Sequence, residues 1–507
     1  MAHPEWAVRF KGKGTELRNI GGRFYLYRVS SKWNKEKKVT QKITHEMIGR
    51  ITEEDGLIPR GTKRLSKKKE EQIVVSALTT ISTRESGASE YLMSMSTDIL
   101  STLKHHFPQT FREIFTLAVN RLLHQSPLKN MAFLYENSML AEHFQNLDLS
   151  KNRLTTLMRE LGGNRPAIAD FMKGFIQGLD NIVFDTTHSL SQSNKMTLNE
   201  LGYNSKGSYD PQVNLFYMFA TDEQLPAYYR IFPGNISGMK ALKLTVKEAG
   251  IQDACMIGDK GFSCDANMDI FEEAGIDYIL PLKRNSRYIY YERLYQRDYD
   301  KAFDGHFLYY NRPIFYYQYT VVEGRDDNVK NRDIIVFYDP KLRNEEEASY
   351  LRRVEGKSAD YTLDTFREKQ FTFGTLAMVH QLKSDNKDED GNTVPVAACK
   401  IYEKYKSRME VETVFDMYKN LLQADKSYMQ SDEAFEAWVF INHLATMMYY
   451  KIFNRIKSRG KLGKISPKEL LLRLSRVTKL HIGTEWIPAE ISCSSIAVFK
   501  ELGITVT

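Results

Sequence analysis

A chain of 507 residues is long enough for roughly two to four hydrophobic cores. Its 42% hydrophobic and 27% charged residues are those of a globular protein and exclude a disordered chain. A formal net charge of +7 and a pI near 8.8 suit a polyanionic partner, while Cys255, Cys264, Cys399 and Cys493 lack the short paired spacings of a zinc knuckle or disulfide framework.

Taken in chain order, the opening MAHPEWAVRFKGKG has no apolar core of the kind a signal peptide needs, so a cytoplasmic protein is expected. Residues 1–70 read as a small β-rich basic unit. GGRFYLYRVSSKWNKEKKVTQKITHEMIGRIT alternates apolar and polar positions around a basic turn, the pattern of a hairpin. Its loops carry Lys35, Lys37 and Lys38, then Lys63, Arg64, Lys67, Lys68 and Lys69, which serve either a solvated surface or DNA phosphates. Residues 71–178 turn helical, a region for gripping DNA or for dimerisation.

From 179 to 286 the order changes to a mixed α/β pattern. Strands are expected over 181–189, 213–220 and 226–232, a helix over 237–250, a strand over 253–262, a helix over 267–274 and a strand over 277–282. Residues 287–396, dense in tyrosine and phenylalanine (RYIYYERLY, FLYYNRPIFYYQYTVV, DIIVFY), alternate like strands and read as a β-rich insertion that ends in the solvated loop 383–392. The core resumes over 397–455, and 456–507 forms a C-terminal helical region and tail. AWVFINHLATMMYYKIF (437–453) carries Asn442, His443 and Lys451, so it reads as a buried helix with Trp438 in the core, and not as a membrane span.

Three places carry candidate chemistry. Asp185 and Asp259 each end a predicted strand, the edge of an open α/β sheet where ligands bind; a turn-capping role is the ordinary alternative. YKSRMEVETVFDMYK (405–419) reads as one helix. At about 100° per residue, Tyr405 (0°), Arg408 (~300°), Glu412 (~340°) and Lys419 (~320°) share one wedge, beside an apolar stripe of Val411, Val414, Phe415 and Tyr418. An amphipathic helix with an exposed Arg408/Glu412 pair explains the same pattern. Three converging carboxylates would suit a hard cation such as Mg²⁺. His188, three residues after Asp185, and Lys260, beside Asp259, are possible DNA contacts; local hydrogen bonding is the ordinary reading of His188 and outweighs the functional one, while an exposed turn explains Lys260 equally.

With VFDTTH at Asp185, IGDKGF at Asp259 and Y-x2-R-x3-E-x6-K met by Tyr405, Arg408, Glu412 and Lys419, the chain resembles the bacterial insertion-sequence DDE transposases of the Y-R-E-K signature group. LGYNSKGSYDPQVNLFYMF and FPGNISGMKAL are similar to that family's second and third strands and first core helix, and the resemblance covers about 178–455. It implies a multidomain α/β protein: an RNase H-like mixed-sheet catalytic core interrupted by the β-rich insertion, with an N-terminal β/helical DNA-binding region and a helical C-terminal region. It also implies Asp185, Asp259 and Glu412 as catalytic metal ligands for two Mg²⁺ ions, with Mn²⁺ able to substitute, and Tyr405, Arg408 and Lys419 as phosphate contacts. The implied partners are transposon-end and target DNA and a second copy of the chain, with no membrane, in a bacterial or archaeal cytoplasm at the nucleoid. Family members often flip a base onto an aromatic of the insertion; the tryptophans here are Trp6, Trp33, Trp438 and Trp486, none in the insertion, so a tyrosine or phenylalanine would have to stack it. An RNase H-like nuclease and a transposase-derived DNA-binding protein without catalysis are the alternatives.

Overall fold

The computed structural model describes residues 3–34, 38–60, 81–203, 207–236, 238–296, 298–323, 329–357, 360–383 and 396–506. Lys35, Lys37, Lys63, Arg64, Lys67, Lys68, Lys69 and most of the 383–392 loop lie outside the described residues. The chain divides into two compact units, Met1–Ile81 with Ile482–Thr484, and the remainder.

In the first unit, a short helix α1 (Glu5–Val8) accompanies an antiparallel sheet in the order β1 (Thr15–Ile20), β2 (Arg23–Asn34), β3 (Val39–Thr52), β4 (Gly56–Pro59). Ala7, Leu17, Leu26 and Ile51 form its core, with Trp6, Phe10, Phe24, Ile48 and Leu57 packed around them. All of these β-residues lie at one end of the sheet. Beyond Val29, the β2–β3 pair runs on as a two-stranded ribbon with almost every residue exposed.

The second unit begins with β5 (Ser82–Glu85) and a helical bundle: α2 (Gly87–Met95), α3 (Thr97–His106), α4 (Phe111–His124), α5 (Met131–Glu136), α6 (Leu140–His143), α7 (Lys151–Gly163) and α8 (Arg165–Ile176). Asn164 caps α8, which has proline in its first turn, so the helix start is fixed locally. A single sheet follows, built from β6 (Asn181–Ser191), β7 (Glu200–Tyr203), β8 (Tyr209–Ala220), β9 (Leu225–Pro233), β10 (Cys255–Ile257) and β11 (Asp277–Pro281). α9 (Gly238–Ala249) lies between β9 and β10, and α10 (Asp265–Ala274) between β10 and β11. Across the centre the strand order is β9-β8-β6-β10-β11. The first three are antiparallel, and β10 and β11 run parallel to β6.

After a short α11 (Tyr299–Ala302), the Tyr-rich segment supplies β12 (Gly305–Tyr309), β13 (Arg312–Glu323) and β14 (Lys330–Tyr338), helices α12 (Pro340–Glu355) and α13 (Leu363–Lys369), and β15 (Thr375–Gln381). β15 pairs antiparallel with both β14 and β11, so these strands continue the same sheet. Arg332 on β14, 2% exposed, lies 3.0 Å from Asp265, 2.9 Å from Asp269 and 3.4 Å from Glu272. Those three acids share one face of α10, so a single guanidinium fastens the insertion to the core.

The chain then forms α14 (Ala398–Lys406), α15 (Met409–Asp416), a π-helical turn (Met417–Leu421), the short β16 (Lys426–Ser427) and α16 (Asp432–Ser458). The single helix expected over 405–419 is therefore interrupted. Arg408 N–H bonds to the Tyr405 carbonyl and Val411 N–H to the Arg408 carbonyl, a tightened i+3 turn between α14 and α15. α16, ~40 Å long at 1.5 Å per residue, is buried along most of its length and packs on α4 and α7. α7 approaches so closely that a Cβ on Gly162 would lie 1.7 Å from the Glu433 carbonyl oxygen. Among the described residues no helix is long and apolar enough to cross a membrane. Beyond it lie α17 (Pro467–Leu474), β17 (Thr478–Ile482), β18 (Glu485–Pro488) and α18 (Cys493–Leu502), so the tail expected to be helical also carries a small sheet with β5.

Candidate active site

The β6 ladder explains how Asp185 is presented. Asp185 does not end its strand: β6 continues to Ser191, paired with β8 from Ile182 to Leu190, and Asp185 faces Tyr217 across the pair. The neighbouring β10 ladder, however, stops at the Ile257–Val183 pair, and β16 meets β6 only at Leu190 and Ser191. Asp185 therefore sits just past the point where β6 and β10 part. Asp259 emerges there too, two residues after the end of β10.

The turn that carries Asp259 is held from beneath. A Cβ on Gly258 would lie 2.5 Å from Phe184 Cζ and 2.9 Å from Leu280 Cδ2, both fully buried, so only glycine lets the chain pass at this height. Phe262, next in the turn, packs edge-on against Phe184 and Phe216. These aromatics lie on the sheet face opposite Asp185, because successive strand residues alternate.

On the Asp185 face, α15 packs over β6 and β8, burying Val411 and Val414. Phe415 meets Tyr217 edge-on, and Tyr217 Oη lies 2.7 Å from Nδ1 of His443 on α16. Glu412 is thereby raised over the sheet with its side chain 48% exposed. Arg408 donates from Nη2 to Glu412 Oε1 at 2.8 Å, and its Nη1 lies 3.9 Å from Asp185 Oδ2. The arginine thus links the carboxylate on the helix with the carboxylate on the strand.

The protonation energetics give the same grouping. Asp185 is pushed up to about 6, chiefly by burial; its own Thr186 N–H opposes the shift, Asp259 adds to it, Arg408 opposes it and Glu412 adds again. Arg408 is held above its ordinary value: burial would lower it, but Tyr405, Asp259 and Glu412 outweigh that. Tyr405 is raised by burial, with Arg408 opposing and Asp259 and Glu412 contributing. Asp185, Asp259, Glu412, Tyr405 and Arg408 share one field. Lys419 sits in the π turn, its ammonium 6.0 Å from the Phe415 ring centre.

The donor chemistry suits a divalent cation: three carboxylates act in one field, and Asp185 is raised first by burial and further by the like charge of Asp259 and Glu412. Among the described residues, no three His, Cys, Asp or Glu side chains already form a metal-holding group. Glu412 is turned to Arg408. Of the other two candidates, Lys260 is an exposed turn residue, and His188 lies three residues from Asp185, hence on the opposite face of β6. There His188 lines a cavity of about 710 Å³ with Thr186, Asn214 and Tyr209.

Two features have no local sequence signal. Arg121 on α4, buried, donates to the Leu422 carbonyl just past the π turn and to Asn442 Oδ1 at 3.2 Å, and lies 4.3 Å over the Trp438 ring. Burial pulls its guanidinium down to about 10, with Tyr418 opposing. It fixes the end of the segment that carries Glu412 and Lys419. The second is a cavity of about 350 Å³ between the insertion and α14, lined by Tyr309, Tyr310, Arg312, Tyr402 and Lys406. Lys406, two residues before Arg408, lies 5.0 Å over the Tyr402 ring; burial lowers its pKa, with Asp339 opposing and Arg312 and Arg408 adding.

The mixed sheet thus opens between two strands beside carboxylates and an interleaved arginine. Residues 179–448 match the family model described as Transposase DDE domain, and the chain belongs to that family. DNA transposition is accordingly its functional class, and DNA its partner. No curated protein matches the chain. A solved structure described as a piggyBac transposase synaptic complex with hairpin DNA is similar at 10% identity and TM-score 0.36, covering 72% of this chain and 70% of that one.

Proposed function

We propose that this protein is a cut-and-paste transposase of a bacterial or archaeal insertion sequence, of the Y-R-E-K group, which cleaves at the ends of its element and joins them to target DNA. The observation that carries this is the Arg408 bridge between Glu412 and Asp185, with Asp259 in the same field. The strand order β9-β8-β6-β10-β11, with its antiparallel half and its parallel half, supports an RNase H-like core.

In this mechanism Asp185, Asp259 and Glu412 would hold the divalent metal, two Mg²⁺ ions with Mn²⁺ as substitute. The metal, when bound, supplies charge stabilisation to the attacking and leaving oxygens of phosphodiester displacement. Arg408 grips a backbone phosphate with its planar fork, Lys419 adds a point charge and Tyr405 a hydroxyl. Because Arg408 holds Glu412, a phosphate that takes over the guanidinium frees that carboxylate. In the first reaction water attacks the phosphodiester at the element boundary and a 3′ hydroxyl leaves. In the second that hydroxyl attacks a target phosphodiester, joins the element to the target's 5′ phosphate and displaces the target's 3′ oxygen, which leaves as a hydroxyl. Two copies of the chain pair the two ends.

The test is a denaturing gel of labelled element-end DNA incubated with protein and Mg²⁺, beside Asp185→Ala and Glu412→Ala. Boundary cleavage by the wild type, lost in both variants while binding persists, is the expected result. Binding without cleavage under any divalent metal would leave a DNA-binding protein without catalysis, and cleavage without joining of paired ends a nuclease.

A further inference from the structure

We propose that the distal β2–β3 ribbon is the element that reads base sequence in the transposon end, by lying in the DNA major groove. This rests on the transposase function above and adds which surface recognises the DNA.

The ribbon is an unusual thing for a small unit to carry. Residues Val29–Asn34 pair with Val39–Thr44 in unbroken register, yet none of them belongs to the unit's core. Six residues of strand extend ~20 Å at about 3.3 Å each, with solvent on both faces. Two strands ~4.8 Å apart with their side chains match a major groove ~12 Å wide, which admits a two-stranded ribbon.

The two faces differ. One presents Ser30, Lys32 and Asn34 from β2 with Gln41 and His45 from β3. The Ser30 hydroxyl lies 2.7 Å from His45 Nε2, and Asn34 Nδ2 lies 3.4 Å from Gln41 Oε1, which confirms the shared face. Amide, hydroxyl and ammonium groups are the side chains that read base edges, amides on adenine and lysine on guanine. Val39 and Ile43, 50% and 38% exposed on the same face, are suited to a thymine methyl. The opposite face is tied back to the unit: Lys42 pairs with Glu16 at 2.5 Å, and Arg18 donates to the Thr44 hydroxyl at 2.6 Å.

Charge selects the occupant. Over the described residues from 28 to 46, Arg28, Lys32, Lys38 and Lys42 stand against Glu46 alone, four positive charges to one negative, or +3. A second copy of the same ribbon would meet like charge, whereas a DNA backbone would not.

The experiment uses the full chain and measures binding to the element's end duplex and to a scrambled duplex of equal length and composition. Lys32→Ala/Gln41→Ala is compared with Ser31→Ala/Thr40→Ala on the opposite face. The Lys32/Gln41 variant is expected to lose roughly 5- to 150-fold in its preference for the end duplex, the value of a lost base-edge contact. The opposite-face variant is expected to keep the wild-type preference. A Lys32/Gln41 variant with undiminished preference, beside a wild type that discriminates and cleaves, would overturn the ribbon proposal alone. So would an altered molecular mass in light scattering with unchanged preference, since the ribbon would then be a self-association arm. A wild type that neither discriminates nor cleaves would remove the transposase function and the ribbon proposal together.

Discussion

Replacing Arg165 by methionine tests whether the two faces of the catalytic sheet are pinned together by charge. Arg165 opens α8 beside the β9 edge and bonds in both directions. Its Nη2 is 2.7 Å from Glu248 on α9, and its Nη1 is 2.9 Å from Glu436 on α16. Nη2 also donates to the Tyr229 carbonyl at 2.8 Å. Burial would lower its pKa, but Glu436 and Glu248 hold it above the ordinary value. With side-chain exposures of 20% for Arg165, 20% for Glu248 and 8% for Glu436, solvent screens this cluster only in part. Arg165→Met leaves Glu436 without a guanidinium and Glu248 with Arg230 at 3.3 Å, and each carboxylate keeps one tyrosine hydroxyl, from Tyr229 at 2.7 Å and Tyr228 at 2.8 Å. Removing one partner of a buried pair costs about 3–5 kcal/mol. Those two remaining hydrogen bonds put the expected loss toward the lower end of that range. Urea unfolding followed by tryptophan fluorescence, with Trp438 two residues from Glu436, measures it. Arg165→Met/Glu248→Gln/Glu436→Gln is expected to recover much of the loss, because neither carboxylate is then charged and Arg230, 28% exposed, keeps partial access to solvent. A loss under about 1 kcal/mol, or a triple variant no more stable than the single one, would refute the pinning role.

Gly258→Ala is expected to cost about 1–3 kcal/mol by overpacking against Phe184 and Leu280 and to lower cleavage more than DNA binding, because it lifts the Asp259 turn; equal losses in both assays would count against that. His443 is pushed down to about 3 by burial, with Arg165 adding, so between its ordinary 6.5 and about 3 the unfolded chain binds a proton that the folded one does not. Stability is therefore full above pH 6.5 and falls as pH drops toward 3, with wild type losing about 2 kcal/mol more than His443→Gln between pH 7 and pH 5. Parallel pH profiles of the two proteins in urea titrations would contradict this. Arg408→Lys keeps the charge but not the fork, and is expected to weaken end-DNA binding and cleavage together; wild-type binding would show that Arg408 does not grip phosphate.

Much of the candidate site was legible because its determinants are local. Glu412 and Arg408 are one turn apart, and their pairing at 2.8 Å follows from i, i+4 spacing alone. Asp185 and Asp259 follow apolar runs that could only be strands or buried segments. The same local logic placed Asp185 at the end of its strand. What ends there is the β10 partner and not β6, and a sequence pattern reports a strand's own residues without reporting where its neighbour stops. The break at Ser407–Arg408 was hidden for a different reason. Both residues keep right-handed helical dihedrals, no glycine or proline marks the place, and only the hydrogen-bond step shortens from i+4 to i+3.

The remaining determinants are arginines whose partners lie far away in the chain. Arg121 reaches Leu422, 301 residues on, Arg165 reaches Glu436 at 271, and Arg332 reaches Asp265 at 67. In sequence each is an ordinary helix or strand cation. In the fold each holds one layer of the catalytic unit to another: α4 to the end of the Glu412 segment, α8 to α9 and α16, and β14 to α10. The carboxylates that would do the chemistry stand on elements close together in pattern, while the precision of their placement depends on these long-range cations. Loss of an arginine far from the site should therefore damage catalysis through position, with each carboxylate still present.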